Sequence, residues 1–204
     1  GQTFDKYMDG FRKRARGDIP WNNYSAYEIR IIPALIRLDR RQEAHELLNF
    51  FLADRRIPPW NQWPEISWHD PKGPSFIGDM PHSWIGGEYI FAIRTMLAYE
   101  REANQSLVIA AGIHEDWLTG PEGVSVTGLP TYYGKLSYTL SREGPDRLRL
   151  VLSGDLAMPP GKVIVQPPLP RPLVQVTVNG AQTETFTSQS ALCDACPAEI
   201  IMFY

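Results

Sequence analysis

Cysteine is nearly absent: Cys193 and Cys196, written CDAC, are the only two in 204 residues. One such pair supplies half the ligands of a structural zinc site, and it does not stand at the strand-to-helix junction of a thioredoxin-type motif. It reads as a loop disulfide or as two idle thiols, and redox compartment stays open. Charge of one sign is scarce as well. Lys and Arg number 20 against 23 Asp and Glu, a formal charge of -3, so the field of a nucleic-acid binder is missing and no such partner is expected. The one basic run, RKRAR at 12–16, has no interleaved aromatics and reads as the solvated side of a helix. No apolar run reaches the length of a membrane span, and no membrane partner is expected. The opening GQTFDKYMDGFRKRARG lacks the apolar core and cleavage site of a signal peptide. Also missing are a glycine-rich phosphate loop, HExxH, a calcium loop and GxSxG, which disfavours nucleotide, zinc-protease and serine-esterase chemistry. No cofactor and no metal is expected.

What the chain does have is apolar and aromatic content, 43% and 11%, enough for one substantial core or two modest ones. Two halves differ in period. Residues 3–56 read as helix because apolar residues recur at three-and-four spacing. Phe4, Tyr7, Met8 and Phe11 form one stripe, Tyr24, Tyr27, Ile31, Leu35 and Leu38 a second, and Ala44, Leu47, Leu48, Phe51 and Leu52 a third. Asp39 with Gln42 resembles a capping box, so helices two and three join by a short turn and lie antiparallel. Pro33 is expected to kink the second helix. A fourth helix is expected from about Pro81 to Glu102, capped by Asp79 and buried all round. More apolar helix surface than partners points to membership in something larger.

From about Leu107 the period becomes two. LVIAAG, GVSV, GKLSYTLS, DRLRLVLS, KVIVQ, LVQVTV, ETFT and AEIIMFY are short alternating runs between turn residues. Leu136, Tyr138 and Leu140 should face Leu148, Leu150 and Leu152 across a hairpin turned at Glu143 to Asp146. Such a series predicts an antiparallel β-sandwich of about 100 residues. The fold class is therefore α+β, with a helical segment over 1–104 and a sheet domain over 105–204.

Between the halves lies PPWNQWPEISWHDPKGPSFIGDMPHSW, residues 58–84, which holds four of the six tryptophans. Sugars present flat C–H faces that pack on indole and hydroxyls that ask for ionic partners. Trp60, Trp63, Trp68 and Trp84 with Asp70, Asn61, His69 and His82 form such a set, and Glu65 between Trp63 and Trp68 could sit partly dry as a base. The blander reading is a solvated glutamate, and tryptophans that pack a loop onto a core. Glu88 is the second-choice carboxylate, expected to pair with an arginine. His45 and His114 read as structural.

The ordered set of a helical hairpin, WPE, PHSWIGGEYIFAI, IAAGI, GLPTYYGKLSYTL and a closing sheet resembles the C-terminal part of six-hairpin (α/α)-barrel glycoside hydrolases, nearest the alpha-L-rhamnosidase-like family. The resemblance implies that the helices end an (α/α) toroid and that Thr131, Tyr133 and Gly134 open the β-sandwich. It implies that Glu65 is similar to the family's general base and His82 to a histidine lining the sugar pocket. Pro64 stands between tryptophan and glutamate, and GDMP replaces the usual serine-leucine-asparagine before the histidine. The likeness covers the tail of such an enzyme, so the implied partners are a carbohydrate substrate and the upstream remainder of the same polypeptide. The general acid would lie upstream, and this chain alone is not expected to catalyse. A carbohydrate-binding or interdomain scaffolding module stands as the alternative, with phosphorolysis or polysaccharide elimination as further outcomes of the same barrel.

Overall fold

The computed structural model describes residues 1–21, 24–55, 58–67 and 78–204. The chain forms two compact units, Gly1–Ile93 and Arg94–Tyr204. In the first, α1 (Gln2–Arg16) buries Met8 and Phe11 and stops at Gly17, whose φ of 79° places it in the left-handed region. Helix is therefore not continuous from 3 to 56, as the periodicity predicted: glycine closes the first stripe. A 3-10 turn, Ala26–Arg30, is capped by the Ser25 hydroxyl, which accepts the Tyr27 N–H, and it runs into α2 (Ile31–Arg37). Pro33 thus lies in the first turn of α2, where an intrahelical N–H bond is not required, and it need not bend an established helix.

The chain turns at 38–40 and enters α3 (Arg41–Ala53). Asp39 is not its cap: it adopts φ 59° in the turn. The Arg40 side chain instead pairs with Glu43 and Asp5. Phe11 packs edge-on against Trp21 and Phe50 and tilted against Phe51, so α1 and α3 share an aromatic core. The basic run is spent on ion pairs: Arg12 with Glu46, Lys13 with Asp9, Arg14 with Glu28, and Arg16 with Asp18.

Helix α4 (Ser83–Leu97) starts later and ends earlier than its sequence suggests. The apolar pattern persists past Leu97, but residues Ala98–Arg101 are strand β1. Nor is α4 buried all round. Trp84 is 73% exposed, Ile90 69% and Phe91 44%, one uncovered face of a helix whose Ile85, Ala92 and Met96 are buried.

The second unit continues with β2 (Ser106–Ile109), β3 (Val124–Thr131), β4 (Gly134–Arg142), β5 (Arg147–Leu156), β6 (Val163–Val165), β7 (Gln175–Val178), β8 (Ala181–Thr183), β9 (Ala191–Cys193) and β10 (Ala198–Phe203). One sheet has the order β1-β2-β6-β9 and the other β3-β4-β5-β10-β7-β8. Leu107, Ile109 and Val163 of the first share a core with Leu140, Leu150 and Ile200 of the second, a β-sandwich. The pairing is antiparallel except between β2 and β6. Tyr138 stands opposite Leu152 and Leu140 opposite Leu150, as alternation requires, while Leu148 faces Arg142. ETFT is not a strand of either sheet; Phe186 makes an isolated bridge to Ala191. TYYG does not open the sandwich but turns β3 into β4. The Thr131 hydroxyl donates to the Gly134 carbonyl at 2.7 Å and accepts the Tyr133 N–H at 3.1 Å. Cys193 and Cys196 are free thiols, and burial pushes both above the usual thiol range.

Where helix gives way to strand, Arg94 forks onto Glu100 at 2.9 and 3.2 Å and reaches the carbonyls of Ala98 and Pro130. Burial would raise the Glu100 carboxyl, but hydrogen bonds from Arg94 and from the Tyr132 N–H outweigh it and hold the group below the ordinary carboxylate range. A carboxyl depressed in the folded state adds stability above its unfolded pKa, about 4.3, and that contribution is lost as pH falls through the folded value. Arg94→Ala should therefore cost about 3 kcal/mol at neutral pH by stranding a buried carboxylate. In urea melts the gap to the wild type should narrow once pH drops below the unfolded carboxylate pKa; a pH-independent gap would contradict the assignment.

Candidate functional site

The site is assembled on a short segment, 64–67, that bends at 65–66 and is held on both sides. On one edge the Ser67 N–H donates to the Tyr24 carbonyl at 3.0 Å, and the Ser25 hydroxyl to the Glu65 carbonyl at 2.6 Å. On the other, the Glu65 N–H donates to the Asp79 carbonyl at 3.1 Å and the Gly78 N–H to the Ile66 carbonyl at 2.9 Å. Pro64 is buried, so the proline inserted between Trp63 and Glu65 lends the segment stiffness without removing a needed donor. The close approach depends on Gly78. A Cβ there would stand 2.9 Å from the Glu65 Cβ and 3.0 Å from its Oε2.

This pairing brings three donors together. One ligand atom each from Glu65, Asp79 and His82 lies within 4.8 Å of the others. Glu65 and His82 are half-buried, whereas Asp79 is exposed. His82 precedes α4, and its carbonyl accepts the Gly86 N–H at 3.2 Å, which makes it the residue that starts the helix. Asp79 therefore is not the cap; it lies a further turn back, across from Glu65. The Tyr27 hydroxyl hydrogen bonds the His82 Nε2 at 2.5 Å, with the rings edge-on at 5.3 Å. Partial burial raises the pKa of this hydroxyl, the Glu65 carboxylate raises it further, Arg30 opposes, and Glu88 adds to the rise. Tyr27 is thus a neutral phenol at physiological pH.

The indoles divide. Trp63 donates its Nε1–H to the Phe51 carbonyl at 3.0 Å and rests on Tyr89 at 5.3 Å, so it packs the segment onto α3 and α4. Trp84 lies edge-on to His82 at 5.9 Å and projects outward. Trp60 is 53% exposed on the 3-10 turn Pro58–Trp60. Trp68, His69 and Asp70 lie outside the described residues. Among the described residues, a Cβ at Gly86 or Gly87 would meet nothing within 4 Å. Glu88 makes no ion pair among the described residues; it acts electrostatically on Tyr27. His45 is buried in α3, and the His114 ring accepts the Asp116 N–H at 3.3 Å.

Sequence reasoning placed Glu65, His82, Trp63 and Trp84 in one region and the structure gathers them. It missed Tyr27, read as one more apolar position of a helical stripe, and Asp79, read as a cap. The spacing D-x-x-H at 79–82 was the available signal for the latter. No protein-family model, curated protein or solved structure matches the chain.

Two substitutions separate architecture from use. Gly78→Ala should displace Glu65 and cost about 1 to 3 kcal/mol by overpacking, read as a lowered urea midpoint. Gly87→Ala should do the opposite, gaining about 1 kcal/mol in a helix interior with free space around it. If Gly87→Ala destabilises instead, the open face beside His82 is wrongly described.

Proposed function

We propose that this chain supplies the general base and part of the sugar pocket of an inverting, alpha-L-rhamnosidase-like glycoside hydrolase, the rest of the barrel belonging to an upstream part of the same polypeptide. The observation that carries the reading is the placement of Glu65. It is half-buried, anchored by its own backbone on both edges, and set beside His82, Tyr27 and an outward indole. A base needs a fixed position, partial shelter and hydrogen-bonding neighbours that orient water and sugar hydroxyls.

Carboxyl spacing decides which acid can be the partner. Inversion needs the acid and base about 6.5 to 9.5 Å apart, and a retaining pair about 5 to 5.5 Å. One carboxylate oxygen of Asp79 lies within 4.8 Å of one of Glu65, below the separation inversion needs. Asp79 is therefore a hydroxyl-binding neighbour on this reading, and the proton donor comes from the upstream barrel. The uncovered Trp84, Ile90 and Phe91 face of α4 suits a helix that continues such a barrel.

The exposed Trp84 beside His82 also favours a second reading, saccharide binding without chemistry. In the full-length polypeptide, Glu65→Gln should lower kcat on an aryl glycoside by about 10²- to 10⁴-fold with little change in the thermal midpoint. The isolated chain should bind monosaccharide in isothermal titration without turning it over. Unchanged kcat in the variant would remove the base assignment; saccharide binding without any turnover by the full-length protein would leave the binding module.

A further inference from the structure

The same donors carry a second chemistry. We propose that Glu65, Asp79 and His82 form a binding site for a divalent transition-metal ion of the Zn²⁺ or Mn²⁺ kind, with Tyr27 as the outer residue that orients the imidazole. Three protein donors are the usual number for a site that keeps a coordination position for water; here they are one nitrogen and two carboxylates. An imidazole in the set favours transition metals over Mg²⁺ or Ca²⁺, which prefer all-oxygen shells. Bonds of about 2.0–2.2 Å put tetrahedral ligand atoms about 3.3 Å apart. The three here lie within 4.8 Å, so side-chain torsions alone can close the shell.

The surroundings are those of such a site. Metal-bound histidines use their second ring nitrogen for a fixed hydrogen bond. The Tyr27 hydroxyl already holds Nε2 at 2.5 Å, which leaves Nδ1 for the ion. In that state Nε2–H donates to the phenol oxygen. The Glu65 backbone is held by hydrogen bonds to the Asp79 carbonyl and from the Ser25 hydroxyl, so its side chain starts from a fixed position. Among the described residues no basic side chain pairs with Glu65 or Asp79, whose carboxylates come within 4.8 Å of each other. The inference does not depend on the hydrolase reading. It does set a consequence for it: an ion held by Glu65 occupies the base, so metal would inhibit glycoside hydrolysis.

The test is titration of the purified chain with Zn²⁺ and Mn²⁺ by calorimetry, and with Co²⁺ by absorption. The Cys193→Ser, Cys196→Ser double variant serves as the parent, because the two thiols are the competing soft ligands. One ion should bind per chain, with a thiolate-free Co²⁺ spectrum. Asp79→Asn and His82→Gln should each abolish saturable binding, and Tyr27→Phe should weaken it about 10-fold. Circular dichroism melts of each variant confirm folding. Absence of saturable binding, binding that survives Asp79→Asn and His82→Gln, or binding confined to the cysteine-containing chain would each overturn the proposal. None of those outcomes bears on the kcat of Glu65→Gln, so the two readings fail separately.

Discussion

The arrangement rests on one constraint: backbone at 64–67 is pinned between residues 24–25 and residues 78–79 by four hydrogen bonds. Pinning the backbone at the Glu65 N–H and carbonyl also fixes the direction from which its side chain leaves the chain. Gly78 lets the second edge approach without a side chain in the way. A single Cβ at that position would push the carboxylate from its place, and with it the relation to His82. Everything chemical about the site follows from this local pairing and from the start of α4 immediately after it.

That geometry creates an electrostatic demand. Glu65 and Asp79 stand close together, with Glu88 near enough to act on Tyr27, and the nearest balancing charge on that tyrosine is Arg30. Carboxylates gathered in this way gain from a hydroxyl-rich ligand that donates to them, or from a cation. The sugar and metal readings answer the same demand with different partners. They differ in which one holds Glu65, and an enzyme that uses its carboxylate as a base must keep the ion away. The elements beneath the site answer a different need. Trp63 is bound to α3 through its indole N–H, so a residue that looks like a sugar platform in sequence is in fact mortar between segment and helix.

Much of the architecture was legible in the sequence because period reports burial. The change from three-and-four spacing to alternation separated helices from sheets, and Tyr138, Leu140, Leu150 and Leu152 paired as alternation demands. Where the reading failed, tertiary context or turn chemistry had overridden a local pattern. Gly17 ended α1 although apolar spacing resumes beyond it. Residues 98–101 joined a sheet although they extend the apolar face of α4. ETFT alternates like a strand yet holds only one bridge. The candidate site was legible in part: an acid and a histidine flanked by indoles are visible as composition. Tyr27 was hidden, because its partner lies 55 positions away and its spacing fits a helical stripe equally well.

On the proposed function, Glu65, His82 and Trp84 act as one saccharide-facing cluster. Nitrogen-15 NMR of the indole and imidazole groups, followed as monosaccharide is added, tests it most directly. The Trp84 and His82 signals should shift together along a single binding curve while those of Trp21 and Trp117 stay still. Shifts confined to Trp21 or Trp117, or no shift at His82 at saturating sugar, would contradict it.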